Sequence, residues 1–329
     1  MKSLVTGATG FLGSAVMRCL LRADHEVRVL VRPDSNKKNL ENFPVEITEG
    51  DLRDHKSLRR AIKGCDNLFH VAADYRLWVP DPETMHEINV NGTRALIIAA
   101  TEEGIKRIVY TSSVATLGLN QDGSPANEET PSNFAAIVGY YKRSKYLAEQ
   151  IVKQLTDDHH LPLIIVNPST PVGPGDIRPT PTGRIILDTI MGRMPAYVNT
   201  GLNIAHVDDI AYGHLLAYQH GKPGERYILG GNDMTLLQIL QAIDEINGTP
   251  KNRINIPIGL MLPMAWLMEK ISTFTHTEPR ATVDSIHMAK KLMFFSSEKA
   301  CRELGYQYRP SIEALKDAVK WFKENDYCN

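Results

Sequence analysis

The 329-residue sequence has few cysteines, few aromatic residues (7%), no long apolar run and almost no net charge (−1). Its four cysteines, Cys19, Cys65, Cys301 and Cys328, form no CxxC pair and stand near no histidine at ligand spacing. Neither a disulfide framework nor a structural zinc site is therefore expected, and reduced thiols fit a cytoplasmic protein. There is no HExxH, and the adjacent His159 and His160 point to opposite sides of most backbones, so no metal is expected. A balanced charge gives no broad basic field for nucleic acid. No apolar stretch reaches the roughly 18 residues of a membrane span. The nearest candidate, Ile256 to Met268, is interrupted by Pro257 and Pro263, and is expected as a buried or pocket-lining segment. Lys2 leads directly into the strand-like "SLVTG", with no signal-peptide pattern.

What is present is an alternation. "SLVTG", "EVRVLVR", "VEITEGD", "NLFHVAA", "RIVYTSS" and "LPLIIVNP" read as short apolar strands. Amphipathic helical stretches separate most of them, including "FLGSAVMRCLLRAD", "HKSLRRAIKG", a long helix over roughly Thr84–Glu103, and another that begins at the Tyr141 segment. Strands and helices in this order give an α/β protein with a doubly wound parallel sheet, a Rossmann architecture. After Pro168 the texture changes. "NPSTPVGPGDIRPTPTG" is dense in Pro, Gly and Thr and reads as too irregular for an element interior. "RYILGG" reads as a return to the main sheet. The expected division is a dinucleotide-binding domain over 1–167, rejoined by part of 204–231, with 168–329 forming mainly a smaller, discontinuous substrate-binding lobe.

"TGATGFLG" places Gly7, Gly10 and Gly13 between the first strand and the first helix. Such a turn must be tight, must let a pyrophosphate approach the backbone, and must let the helix pack close to the sheet. The free N–H groups at the helix start then attract the phosphates. Gly7, Thr9, Gly10, Phe11, Leu12 and Gly13 are the candidate contacts. An acidic residue usually follows the second strand where NAD is bound; here that position is Arg32, whose guanidinium suits a 2′-phosphate. NADP(H) is therefore favoured, with NAD(H) kept open because Asp34 stands two residues on; Ser35, Lys37 and Lys38 could add donors. Asp51 is placed to accept from the adenine amino group, with Leu52 against the ring. Ala72 and Ala73 are small enough for the dinucleotide to lie over the sheet edge. His70 reads as a buried structural histidine.

"VGYYKRSKYLAEQ" raises the question of chemistry. Tyr141 and Lys145 are four apart and share a helix face, whereas Tyr140 has Ser144 at that offset. A phenol with a pKa near 10 needs a neighbouring cation to act at neutral pH. "TSS" supplies Ser112 and Ser113 at the carboxyl end of the fifth strand, where ligands bind in this architecture.

Together "TGATGFLG", "TSSVATLG", "YYKRSK" and "HVDD" resemble the extended short-chain dehydrogenase/reductase superfamily over essentially the full chain. The longer runs "HVAADYRLW", "VNPSTPVGPGDIRPTPTGRII" and "TGLNIAHVDD" resemble the hopanoid-associated sugar epimerase family, itself similar to dihydroflavonol 4-reductases. The resemblance implies a catalytic set of Ser113, Tyr141 and Lys145, with Ser112 or Thr111 as a supporting donor. It places Pro168, Ser169 and Thr170 near the nicotinamide carboxamide. Substrate candidates are Asp74, Tyr75, Trp78, Asn167, Arg178, Arg184, Tyr197 and Asn203, with Arg193 a further possible phosphate binder. Asp208 or Asp209 is expected to cap the helix after "HVDD". The implied activity is hydride transfer between a nicotinamide and a carbonyl or alcohol of a small molecule. An epimerase is the alternative and a non-catalytic dinucleotide sensor the third reading. By family analogy a homodimer forms through the two long helices.

Overall fold

Seven strands form one wholly parallel sheet: β1 (Lys2–Thr6), β2 (Glu26–Val31), β3 (Val45–Glu49), β4 (Asn67–His70), β5 (Arg107–Thr111), β6 (Leu163–Pro168) and, after three short strands, Arg226–Leu229. Those intervening strands are β7 (Thr170–Val172), β8 (Ala196–Tyr197) and β9 (Gly201–His206), so the seventh sheet strand is β10. Its neighbours run β10-β6-β5-β4-β1-β2-β3. The sheet order reverses direction between β1 and β4, which opens the crevice where a dinucleotide binds in such folds. The computed structural model describes residues 1–76, 81–275 and 282–328.

Alternate residues along each strand feed different cores, as the period of two requires. Val5, Phe69, Val109 and Ile164 pack on one face against α1 (Phe11–Arg22) and a helix that returns late in the chain. Leu4, Leu68, Ile108 and Leu163 pack on the other, under α2 (His55–Ile62), α3 (Pro82–His86) with its continuation α4 (Thr93–Glu102), and α5 (Tyr140–His159). The long helix expected over Thr84–Glu103 is present but carries a π-turn at Glu87–Gly92 between α3 and α4.

The remaining helices are α6 (Pro181–Ile190), α7 (Val207–His220, the late-returning one), α8 (Leu236–Asn247), α9 (Ile258–Thr275), α10 (Val283–Met288), α11 (Glu298–Leu304) and α12 (Ser311–Glu324). A small sheet of β7, β9, β11 (Asn232–Thr235) and β13 (Leu292–Met293) has its own apolar core with α6, α8 and α12. β12 (Ile254–Asn255) pairs only with β8. Two readings of the sequence change here. The proline-rich stretch does hold regular structure: β7 pairs with β9 alone, an edge position that tolerates Pro171, and Pro181 opens α6. The cap of α7 is His206, whose Nδ1 accepts from the Asp208 amide at 3.0 Å, rather than either aspartate. Asp209 instead pairs with Arg309.

Candidate active site

The site is built where β4, β5 and β6 end and α5 begins. Gly139 starts α5 at φ +89°, a left-handed turn that a side chain resists, and so aims the first helical turn at the strand ends. Of the two adjacent tyrosines, Tyr140 is 53% exposed, while Tyr141 is half-buried and faces inward. Burial raises the Tyr141 pKa, and the Ser113 hydroxyl beside it lowers it in part. One turn on, the Lys145 ammonium donates to the Thr111 carbonyl at 2.7 Å and to the Tyr110 hydroxyl at 3.3 Å. Burial pulls its pKa down to about 8, against an upward pull from Glu149. Tyr141, Lys145 and Glu149 recur every four residues and form one stripe of α5.

Glu149 is the residue that motif reading missed. It is 1% exposed, and its Oε2 accepts from the Ser112 hydroxyl (2.5 Å), the Thr116 hydroxyl (2.8 Å) and the Asn167 amide (3.0 Å). Its Oε1 pairs with Lys153 (3.1 Å) and Arg226 (3.2 Å). Burial pushes its carboxyl up, but Lys153, the two hydroxyls and Arg226 outweigh that and hold it below the usual glutamate range. Ser112 is thus committed to Glu149, and Ser113 alone of the pair remains beside Tyr141. The Asn167 amide also donates to the Ser113 carbonyl (3.0 Å) and the Thr116 hydroxyl (3.1 Å), so it fixes the serine turn from behind.

On the nucleotide side, Gly7 adopts φ +77°, and a Cβ there would lie 2.8 Å from the Ala72 backbone. A Cβ on Gly13 would sit 2.1 Å from the Gly7 carbonyl oxygen. The start of α1 has no side-chain cap and no acidic residue in its first turn, which leaves its N–H groups available to an anion. His70 is neutral and structural: it bridges Thr6 (2.7 Å) and Thr93 (2.9 Å), and burial lowers its pKa to about 3. Arg32 stands exposed at the end of β2. Next to it, Asp51 is held below the usual carboxylate range, first by hydrogen bonds from Arg53 and last by the charge of Arg32. Leu52 is buried under Gly92. Lys37 pairs with Glu49 at 3.6 Å. The Ser169 hydroxyl is buried with no protein partner, beside Thr170 at the start of β7. An uncapped glycine turn at the strand crossover and an orphaned hydroxyl at the end of β6 fit a nicotinamide dinucleotide.

The expected substrate residues divide. Asn89, itself buried, accepts from the Asp74 amide (2.7 Å) and donates to the Asp74 carbonyl (2.8 Å) and the Ser144 hydroxyl (2.9 Å), so it ties the loop after β4 to α5. Asp74 pairs with Arg76. Tyr75 lies within the electrostatic reach of Asp176, Arg178 and Arg184, and burial first, then Asp176, raises its pKa. Those residues therefore lie near Tyr75. Tyr197 is half-buried on β8. Asn203 is committed elsewhere: its side chain is spent on the Gly231 amide and carbonyl, Asp233 and the Phe295 carbonyl, holding the small sheet together. Trp78 lies outside the described residues. Among the described residues no cluster of metal-ligating side chains occurs, and no helix is long and apolar enough to cross a membrane.

A parallel Rossmann sheet with a glycine turn at its crossover and a serine, tyrosine and lysine at its strand ends defines a nicotinamide-dependent enzyme of the extended short-chain dehydrogenase/reductase class. The chain belongs to the NAD dependent epimerase/dehydratase family, whose sequence pattern matches residues 3–230. It is 44% identical, over 98% of its length and 95% of the relative's, to a putative dihydroflavonol 4-reductase of Synechocystis. It is 37% identical to sterol demethylase protein B of Methylococcus capsulatus, over 98% and 99% of the two chains. The crystal structure of gox2253 matches with a TM-score of 0.90 at 52% identity, over 99% of each chain.

Proposed function

We propose that the protein is an NADP(H)-dependent carbonyl reductase, with Tyr141 as acid, Ser113 as carbonyl-oxygen donor and Lys145 as the charge that tunes the tyrosine. The observation that carries this reading is the single helix stripe that sets Tyr141 beside Ser113 while Lys145 is pinned to β5. Bound nicotinamide supplies the hydride. Tyr141 Oη donates its proton to the substrate oxygen, and Ser113 Oγ steadies the same oxygen by hydrogen bond. The Lys145 ammonium, one helical turn from Tyr141, would favour the phenolate left behind and hold ribose hydroxyls. In reverse, the phenolate takes a proton from an alcohol. Arg32 at the end of β2 is the anchor for a 2′-phosphate. Ser169 and Thr170 are the donors for the carboxamide. Similarity to a dihydroflavonol 4-reductase and a sterol demethylation protein supports a bulky, largely apolar ketone as substrate.

The family also includes epimerases, and the arginines bordering Tyr75 would suit a nucleotide sugar. The two readings separate on the cofactor. We expect exchangeable NADP, bound more tightly than NAD and weakened by Arg32→Ala. Tyr141→Phe should lower kcat by about 10²–10⁴-fold with cofactor affinity kept. Stoichiometric NAD surviving purification, together with turnover of nucleotide sugars, would replace the reductase by the epimerase. Full activity in Tyr141→Phe would remove the tyrosine from the chemistry.

A further inference from the structure

The segment expected to be buried or to line a pocket, Ile256 to Met268, is instead among the most exposed apolar surfaces of the protein. It forms the first two-thirds of α9 and packs on α10, where the Glu269 carboxylate accepts from the Val283 amide at 2.9 Å. Ala265 and Ser272, on the side of α9 that carries Glu269, are buried. The opposite side carries Leu260, Met264, Leu267 and Ile271, spaced four, three and four residues apart, which is one stripe of a helix. They range from 41% exposed at Met264 to 69% at Leu260, and Trp266, about 100° round the helix from Leu267, is 56% exposed. Ile254, just before the helix, is 72% exposed. An unbroken apolar stripe facing water marks a binding surface rather than ordinary scatter.

The surroundings indicate what covers it. Lys270 lies 5.7 Å over the Trp266 ring, an aromatic and a cation at the rim of an apolar stripe. Lys251, Lys290 and Lys291 are exposed on the segments that flank the two helices. Among the described residues, the Glu269 carboxylate is hydrogen-bonded to α10, and an Asp284 oxygen lies 3.6 Å from where a Cβ on Gly139 would stand. An exposed apolar helix face, with a tryptophan–lysine contact on the same helix and exposed lysines on the flanking segments, suits the boundary of an anionic bilayer. The pair is also rooted at the active site. The strand leading into α9 pairs with β8, which carries Tyr197, and α10 abuts the first residue before the catalytic helix.

We infer that the α9–α10 pair docks the protein on anionic membrane surfaces, with the apolar stripe of α9 seated at the headgroup boundary. The surface is defined by these helices alone and stands whichever reaction the site performs. The test is co-sedimentation of the full chain with vesicles of phosphatidylcholine alone and of phosphatidylcholine with phosphatidylglycerol, at low and high salt. Sedimentation velocity of the same samples without lipid reports self-association. We expect binding to the anionic vesicles, weakened by salt. Trp266→Glu with Leu267→Glu should weaken it by about tenfold or more, and Lys270→Glu with Lys290→Glu should weaken it on anionic vesicles only. Both variants should melt and bind cofactor like the parent, and the measurement needs no turnover, so a failed reductase assay leaves it intact. Absence of vesicle binding, binding indifferent to both variants, or a dimer that Trp266→Glu with Leu267→Glu splits into monomers would each overturn the inference; the last would assign the stripe to a second copy.

Discussion

Glu149→Gln is the substitution that most sharply tests how the site is held. Glutamine keeps the volume but not the symmetry of the carboxylate. If its amide nitrogen takes the Oε2 position, it confronts the Asn167 amide at 3.0 Å, donor against donor, while the Ser112 and Thr116 hydroxyls must rotate away. If it takes the Oε1 position, it confronts Lys153 and Arg226. Neither orientation satisfies all five partners. Breaking a buried ion pair by removing one charge costs about 3–5 kcal/mol, which for a domain of this size is a Tm decrease on the order of 5–10 °C. A second effect follows from charge. Glu149 holds the Lys145 pKa up against burial, the two together leaving it at about 8. Without it the ammonium loses its proton at lower pH, so fewer lysines are charged at neutrality. The pH at which kcat falls off should be lower in Glu149→Gln than in the parent, with activity recovering toward lower pH, whereas a variant that is only less stable would lose activity across the whole range. Differential scanning calorimetry and a pH–kcat profile below the melting temperature measure both. A Tm and a profile equal to those of the parent would refute the argument.

Gly13→Ala should abolish cofactor binding and lower the Tm, because the added carbon would lie 2.1 Å from the Gly7 carbonyl oxygen and 2.5 Å from its carbon, both rigid backbone; isothermal titration with NADP checks it, and parent-like affinity would show that the turn yields. Acid should destabilise the protein well above the carboxylate range. His70 and His214 are buried neutral, with pKa values lowered to about 3 and about 4, whereas in the unfolded chain both protonate below 6.5. Their contribution is complete above pH 6.5 and is lost as pH falls, at about 1.4 kcal/mol per pH unit for each. Asp176 acts oppositely below pH 6, because burial raises its carboxyl to about 6 and the native state then binds the extra proton. Melting temperatures should therefore decline from pH 7 to pH 5, more steeply in Asp176→Asn, and a flat profile would count against these assignments.

Most of what positions the site could be read in the sequence. Strand runs such as "LIIV" are apolar throughout because both faces of a parallel sheet are covered, and the glycine turn and the Tyr141–Lys145 spacing are local patterns. What escaped depends on distant partners. Glu149 stands eight residues after Tyr141 on the same stripe, so its direction was available; that it collects Ser112, Thr116, Asn167 and Arg226 from three separate strand ends was not. Asn203 reads as a substrate candidate in the sequence, yet its partners lie in β11 and at the Phe295 carbonyl. The exposure of α9 ran against the rule that apolar runs are buried, and only packing against a single neighbouring helix reveals it. His206 displaced the aspartates as a cap because an imidazole nitrogen reached the amide first.

The π-turn at Glu87–Gly92 gives the scaffold an angular setting. One extra residue is wound into a helix that would otherwise turn about 100° per residue, and the turn contains Asn89, the bridge between the loop after β4 and α5. Removing a single residue there could restore regular winding, but it would swing Leu96, Ile97 and Ala100 a quarter-turn or more out of their seats against the sheet. The two halves of that helix answer to different masters, one to the core and one to the cleft, and the surplus residue is what lets both orientations coexist.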